Sequence, residues 1–249
     1  HNIAIQGTFD DCQAIVKALF NDLDYRDRLA LAGINSINWA RVMAESVYYA
    51  TAAATLGAPR RRVAFSVPTG NFGDVYAGRV AAHSGVPIDK LIVATNINDI
   101  LVRTLDSGVY QPRGVHATQS PSMDIQVASN FERLLFELAG RDGARIRDLM
   151  DGFAGKGSFA LDAAMLAAAR QGFLACRADE AETTATIRDV HKRTGLTIDP
   201  HSAVGLTAAA KMRASGAIDA ATPLIALATA HPAKFPDAGD NATAIGRAH

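Results

Sequence analysis

A glycine-rich loop set between an apolar strand and a helix constrains the fold of this chain more than any other stretch. The run Val63–Val67 predicts a buried strand, and a helical pattern follows from Val75 to His83. A break at residues 85–87 leads to a second apolar run, Leu91–Thr95. Strand, helix and strand in this order form a βαβ unit, in which the two strands are parallel.

The loop, residues 66–74, has the chemistry of an anion-binding turn. Its sequence is SVPTGNFGD. The first N–H groups of the following helix lack partners within that helix, so these groups and the helix dipole favour a phosphate. Gly70 and Gly73 allow the main chain to approach such an anion closely. The same residues also suit a plain turn, and the loop alone leaves both interpretations open. It matches neither a Walker loop nor a dinucleotide fingerprint.

Strands alternate with helices along the rest of the chain, which is typical of an α/β fold. Because the predicted strands are continuous apolar runs, we expect a largely parallel sheet with helices on both faces. Ligands bind beyond the carboxyl ends of such strands, so the glycine loop, Asn96 and the loop at His231 should share one edge. The other predicted strands are Asn2–Ile5, Phe173–Cys176 and Pro223–Thr229.

Apolar residues at helical spacing predict the helices and their buried faces. The first helix buries a stripe that includes Cys12, and the stripe of the long helix after Asn38 includes Val42, Met43 and Val47. Asn38 and Asn98 are expected to cap helices. The predicted helices are Asp11–Phe20, Trp39–Leu56, Asn98–Leu105, Asp124–Ala139, Asp179–Thr194 and His201–Ala214.

Composition and charge point to a protein that handles a small molecule. The 25 basic and 25 acidic residues cancel, and no cluster of Lys or Arg is interleaved with aromatic residues, so neither a nucleic acid nor a membrane is expected as partner. No apolar run reaches the roughly 18 residues that span a bilayer, and no signal sequence opens the chain, so we expect a cytoplasmic protein. Cys12 and Cys176 are expected to be reduced, with Cys12 in the core, and no metal site is predicted from the histidine spacing.

Six ordered segments resemble those of one enzyme family. They are GTFDDCQ (7–13), NSINWAR (35–41), SVPTGNFGD (66–74), SPSMDI (120–125), DPHSAVG (199–205) and TAHPAKF (229–235). From its first residues to about Phe235, the chain resembles threonine synthases of the longer microbial type. The resemblance implies a pyridoxal-phosphate enzyme of the tryptophan-synthase-β fold type (fold type II) that converts O-phospho-L-homoserine and water to L-threonine and phosphate.

The resemblance also implies a domain organisation and cofactor contacts. Residues 1–30 would end a smaller α/β domain, residues 31–236 would form the large cofactor-binding domain, and residues 237–249 would be a C-terminal tail. The cofactor phosphate would lie on the backbone of Gly70, Asn71, Phe72 and Gly73. Thr229 would meet the pyridine nitrogen with a neutral hydroxyl, although a strand-end threonine with a satisfied hydroxyl has the same sequence signature.

Ser36, Asn38 and Arg41 are the candidates for the phosphate of the substrate. They stand at the start of the long helix, where an anion is favoured. A capping sequence followed by a solvated arginine is the alternative interpretation. Asp199 and His201 fit a helix cap and a partly buried histidine, with a supporting role near the site as the weaker alternative.

One departure from the family concerns the catalytic amine. The family holds its cofactor as a Schiff base on a lysine in a Phe-Lys-Asp context, and none of the six lysines here has those neighbours. The catalytic residue is therefore unknown from this chain, and we expect it upstream of His1 in a longer protein. A non-catalytic phosphate-ligand binding homologue and another fold type II enzyme, such as a dehydratase, remain alternatives. The oligomeric state is not predictable from the sequence.

Overall fold

The computed structural model describes residues 3–243 of the 249-residue chain. The strands are β1 (Val63–Pro68), β2 (Ile88–Thr95), β3 (Val109–Tyr110), β4 (Phe159–Ala160), β5 (Phe173–Arg177) and β6 (Leu224–Ala226). The α-helices are α1 (Phe9–Asn21), α2 (Leu23–Leu29), α3 (Trp39–Thr55), α4 (Gly73–His83), α5 (Ile100–Ser107), α6 (Phe131–Leu138), α7 (Gly143–Lys156), α8 (Ala163–Gly172), α9 (Glu180–Thr194), α10 (Pro200–Ala214) and α11 (Pro236–Thr243). Two 3₁₀ turns cover Pro121–Met123 and Pro232–Lys234.

Four parallel strands form the main sheet, in the order β5-β2-β1-β6. Phe65 of β1 lies opposite Leu91 of β2, and Ala64 lies opposite Leu224 of β6. The short strands β3 and β4 pair antiparallel in a second, two-stranded sheet. The predicted βαβ unit is therefore present as β1, α4 and β2.

Alternate residues of β1 face two different helical layers. Phe65 packs on Tyr49 of α3 with ring centroids 4.8 Å apart. Residues of α4 and α5 belong to the same buried cluster. Ala64 faces the other layer, where it clusters with Val204 and Ala208 of α10. Burial on both faces explains why the strands are continuously apolar. The predicted α/β fold, with a parallel sheet and helices on both faces, is confirmed.

Two predicted strand segments differ in the structure. Residues 3–5 have no regular structure, and Asn2 lies outside the described residues. β6 ends at Ala226 instead of Thr229. Because β1 turns into the glycine loop after Pro68, the residues after Leu227 have no strand beside them with which to pair.

The predicted helix Asp124–Ala139 is shorter than expected, since α6 begins at Phe131. The Asp124 carboxylate instead accepts hydrogen bonds from Asn96 and Asn98 at 2.8 and 3.0 Å. This contact ties the loop before α6 to the end of β2. Asn98 is therefore not the cap of α5, which begins without a side-chain cap.

The long helix α3 buries only part of its predicted stripe, namely Val42. Val42, Tyr49 and Ala53 are fully buried, whereas Met43 and Val47 are exposed. Both sets recur at helical spacing, so the sequence pattern alone does not separate them. Packing against β1 and α4 selects the side that carries Tyr49.

The apolar stripe of α1 remains largely exposed. Cys12 is exposed, and Ile15 and Leu19 are 50% and 41% exposed. The expectation that Cys12 is a core residue is therefore wrong. The buried residue of this helix is Gln13, whose amide donates to Ser129 Oγ at 3.1 Å.

The C-terminal region packs onto the domain as far as it is described. Ala238 and Ala242 of α11 are buried against Ile187 and Ala203. Residues 244–249 of the predicted tail lie outside the described residues. Within residues 3–243, no helix is long and apolar enough to cross a membrane, and no three potential metal-ligating side chains lie together as an ion site.

Candidate functional site

A cleft of about 740 Å³ lies at the carboxyl edge of the sheet. The glycine loop, the loop before α3 and the segment after β6 form its walls. Five of the predicted site residues line it, namely Ser36, Arg41, Gly70, Asn71 and Thr229. The structure thus brings together residues that are as far apart in sequence as Ser36 and Thr229.

The glycine loop contributes Gly70, Asn71 and Asp74 to the cleft wall and contains backbone N–H groups without a protein acceptor among the described residues. Phe72 adopts a left-handed conformation (φ 68°) that opens α4, and its ring is fully buried between Phe131 and Phe173. Asn71 Oδ1 accepts from Gly73 N at 2.8 Å. Within residues 3–243, no protein atom accepts from the N–H groups of Asn71, Phe72 or Asp74. Free N–H groups at a helix N-terminus are suited to an anion.

Ser36 ties the loop before α3 to the glycine loop. Its Oγ accepts from the side-chain amides of Asn71 and Asn130, both at 3.0 Å. Ser36 is buried. Since both of these bonds use the oxygen as acceptor, the hydroxyl proton of Ser36 stays available to a ligand in the cleft.

Two glycines let three segments meet at the loop. A Cβ on Gly70 would lie 2.9 Å from the carbonyl oxygen of Ser122, and a Cβ on Gly73 would lie 2.7 Å from the Cβ of Ser36. Both positions exclude a side chain because protein atoms already occupy the space. The glycine loop therefore packs closely against Ser122 and Ser36.

The acidic side chains Glu45 and Asp74 line the same cleft as Arg41. Arg41 Nε lies 2.9 Å from Glu45 Oε1. Burial raises the pKa of Asp74 to about 6, although a hydrogen bond from Tyr49 acts in the opposite direction. Burial also raises the pKa of Glu45, against the lowering effect of Arg41. The cleft thus combines one cation with two carboxyl groups that ionise less readily than usual.

His201 supports the turn that packs on the glycine loop. It is 2% exposed, its Nδ1 lies 2.9 Å from Asp199 Oδ1, and its Nε2 accepts from the backbone N–H of Ser122 at 3.2 Å. An Nε2 that accepts implies a neutral ring with its proton on Nδ1, which Asp199 holds. Burial acts to raise the pKa of Asp199, but hydrogen bonds from His201 and Ser202 outweigh it and lower that pKa.

Three predicted residues, Asn38, Phe72 and Gly73, are not in the cleft lining among the described residues. Asn38 caps α3: its Oδ1 accepts from Ala40 N at 3.0 Å, and its amide donates to the Gly33 carbonyl. Thr229 lines the cleft from the irregular segment after β6.

Sequence reasoning did not single out Glu45 or Asp74. Glu45 stands four residues after Arg41, a spacing that places the two on one helical face. Asp74 directly follows the glycine loop. These spacings were the available signals, but neither indicates that the carboxyl group is buried.

Comparison with solved structures first shows the fold that this chain shares with other proteins. A threonine deaminase from Solanum lycopersicum has a TM-score of 0.62 at 13% identity, covering 98% of this chain and 57% of its own. At that identity the likeness concerns the fold alone, and it agrees with the predicted fold type II of pyridoxal-phosphate enzymes. A family model described as "Threonine synthase, C-terminal" matches residues 202–249.

Relatives with higher identity to this chain are all threonine synthases among those compared below. Threonine synthase of Pseudomonas aeruginosa is 48% identical over 248 residues, 100% of this chain and 52% of its own length. That of Saccharomyces cerevisiae is 42% identical over 96% of this chain and 50% of its own. A PLP-bound threonine synthase structure from Brucella melitensis has a TM-score of 0.89 at 54% identity, covering 99% of this chain and 52% of its own.

The chain resembles the C-terminal portion of threonine synthases in both sequence and structure. It spans about half the length of the curated relatives it matches.

Proposed function

We propose that this chain is the C-terminal portion of a threonine synthase, which converts O-phospho-L-homoserine and water to L-threonine and phosphate with pyridoxal phosphate. The observation that supports this proposal is that one cleft contains two sets of residues suited to an anion. One is the set of free N–H groups in the glycine loop, and the other is Arg41 with Ser36. A phosphorylated cofactor and a phosphorylated substrate together require two such groups.

The residues of the glycine loop fit a cofactor phosphate. Gly70, Asn71, Phe72 and Gly73 would hold it through the backbone, because the ring of Phe72 belongs to the core. Thr229 would offer a neutral hydroxyl to the pyridine nitrogen. When bound, pyridoxal phosphate supplies an electron sink for carbanion chemistry on the substrate.

The loop before α3 would bind the phosphate of the substrate. Arg41 would contact the phosphate oxygens with its terminal nitrogens, and Ser36 would donate its hydroxyl proton. Asn38 would contribute by capping α3 and so fixing the backbone between them. Positive charge held at the leaving group stabilises it as it departs.

The chain is proposed to act within a longer protein. Residues 1–30 would belong to a smaller α/β domain, residues 31–236 to the large domain and residues 237–249 to a tail. The exposed stripe of α1 supports a further segment of the protein covering this helix. The lysine that carries the cofactor would come from outside this chain, and the protein would reside in the cytoplasm.

Turnover by the full-length protein tests this proposal. We expect it to release phosphate and form threonine in equal amounts from O-phospho-L-homoserine when loaded with pyridoxal phosphate. Formation of a 2-oxo acid and ammonia from serine or threonine, without phosphate release, would indicate a dehydratase. Ligand binding without any turnover would indicate a binding protein. Either result would overturn the proposal.

A further inference from the structure

Arg41 and Glu45 form an ion pair whose two members differ in burial. The Arg41 side chain is 48% exposed and that of Glu45 is 11% exposed. They stand one turn apart on α3, and Arg41 Nε lies 2.9 Å from Glu45 Oε1. Because packing fixes the glutamate, the arginine is the member whose position the pair decides. An arginine this exposed would otherwise sample many rotamers.

The pair uses the inner nitrogen of the guanidinium and leaves its outer edge open. Nε is engaged by Glu45, and no acceptor within residues 3–243 meets either terminal nitrogen of Arg41. In a planar guanidinium, the two terminal nitrogens form the edge beyond Nε, and a contact at Nε restricts the guanidinium while leaving that edge open. That edge is the part of arginine that binds two phosphate oxygens at once.

Within the described residues, Arg41 is the one ion-pair partner of Glu45. Its second oxygen, Oε2, is buried without a hydrogen bond in the described part of the chain. Tyr49, one turn further along α3, donates to the backbone and carboxylate oxygens of Asp74 instead. A buried carboxylate oxygen left in this state is unfavourable for folding. The charge of Glu45 therefore acts on Arg41 and on the cleft that both residues line.

We propose that Glu45 is a positioning residue that holds Arg41 with its terminal nitrogens towards a phosphate ligand in the cleft. This inference rests on the proposed function, in which that phosphate belongs to the substrate. Glu45 has two opposite effects on such a ligand. It repels the phosphate directly and it orders the group that binds the phosphate, and the proposal is that the ordering effect dominates.

A double-mutant cycle with inorganic phosphate separates these two effects. The full-length protein is loaded with pyridoxal phosphate, so that the glycine loop is filled, and phosphate affinity is measured by calorimetry. The variants are Glu45→Gln, Arg41→Ala and the pair together. Glu45→Gln is close in shape and removes the charge. Asp189→Asn serves as the matched control, because Asp189 forms an exposed pair with Arg193 at the same helical spacing on α9.

Glu45→Gln is expected to weaken phosphate binding about five-fold, the effect of weakening one charge-assisted contact. In the Arg41→Ala background the same change should cause no further loss, since there is no guanidinium left to position. Asp189→Asn should bind phosphate like the unmodified protein. Equal or tighter binding by Glu45→Gln would overturn the proposal, as would an equal loss in both backgrounds.

The cycle is independent of the proposed reaction. If the protein makes no threonine but the coupling between Glu45 and Arg41 appears, the positioning role stands and the assigned substrate is wrong. If threonine is formed but the coupling is absent, the proposed function stands and Glu45 has no positioning role.

Discussion

The N-terminal helices and the sheet region of this chain differ in how far their apolar side chains are buried. β1 is buried along its whole length, with Phe65 fully enclosed. In α1 the buried residue is the polar Gln13, and α2 has none within the described chain. Both regions contain well-formed elements, since Thr8 and Asp11 form a complete capping box at α1. Local signals therefore set where a helix begins, whereas a partner must be present for its apolar face to be buried.

The largest effect is expected in the buried region. Phe72→Ala should lower the free energy of unfolding by about 3–5 kcal/mol, because the ring is fully buried against Phe131 and Phe173. Phe136 is the matched control, since it is 40% exposed, and Phe136→Ala should cost less than about 1 kcal/mol. Chemical denaturation of the full-length protein measures both. Similar costs at the two positions would contradict the burial pattern described.

Cys12 probes the exposed region. If a further segment covers the α1 stripe, Cys12 in the native full-length protein should react with a thiol reagent at least about ten-fold more slowly than an exposed cysteine, as a local opening of only about 1.4 kcal/mol would produce. Leu196→Cys provides that exposed cysteine, since Leu196 is 65% exposed. Equal native rates would show that nothing covers the stripe. Both cysteines should react alike after unfolding.

Asp74 gives a smaller, pH-dependent effect in the cleft. Its pKa is raised from 3.8 to about 6 in the folded protein. The folded state therefore binds more protons than the unfolded state between about pH 4 and 6, and stability contributed by Asp74 falls as pH rises through that window. Asp74→Asn should remove about 2 kcal/mol of this pH dependence between pH 4 and pH 7. Denaturation midpoints of both proteins at pH 4 and pH 7 provide the measurement, and parallel profiles would argue against a buried Asp74.

Elements that depend on local chemistry were predictable from the sequence. The glycine loop between β1 and α4, and the Asn38 cap of α3, agree with the structure because a few adjacent residues determine them. The buried face of α3 was predictable only in part. Val42 is buried as expected, but Met43 and Tyr49 both stand at helical spacing and the pattern does not decide between them. Contact with Phe65, from a remote strand, decides which side is buried.

The candidate site was predictable in part for the same reason. The carboxyl-edge argument placed the glycine loop beside Asn96 and His231. Within the described residues, the cleft lining includes the loop residues Gly70 and Asn71 but neither Asn96 nor His231, and Ser36 and Arg41 join it from the loop before α3 and its first turn. Thr229 reaches it from an irregular segment, since the edge strand β6 ends early. Glu45 was not predicted as a cleft residue because a glutamate on a helix is usually solvated. The burial of Glu45 depends on the tertiary packing of α3.

The proposal that the cleft binds two different phosphates is tested most directly by Arg41→Ala. In the full-length protein, cofactor absorbance and kcat/KM for O-phospho-L-homoserine are measured side by side, with Arg193→Ala as the control at an exposed arginine of α9. Arg41→Ala should retain the cofactor and lose at least about ten- to a hundred-fold in kcat/KM, the effect of losing a charged phosphate contact. Normal kcat/KM would make Arg41 a solvated helix residue. Loss of the cofactor instead would mean that the two phosphates are assigned to the wrong groups.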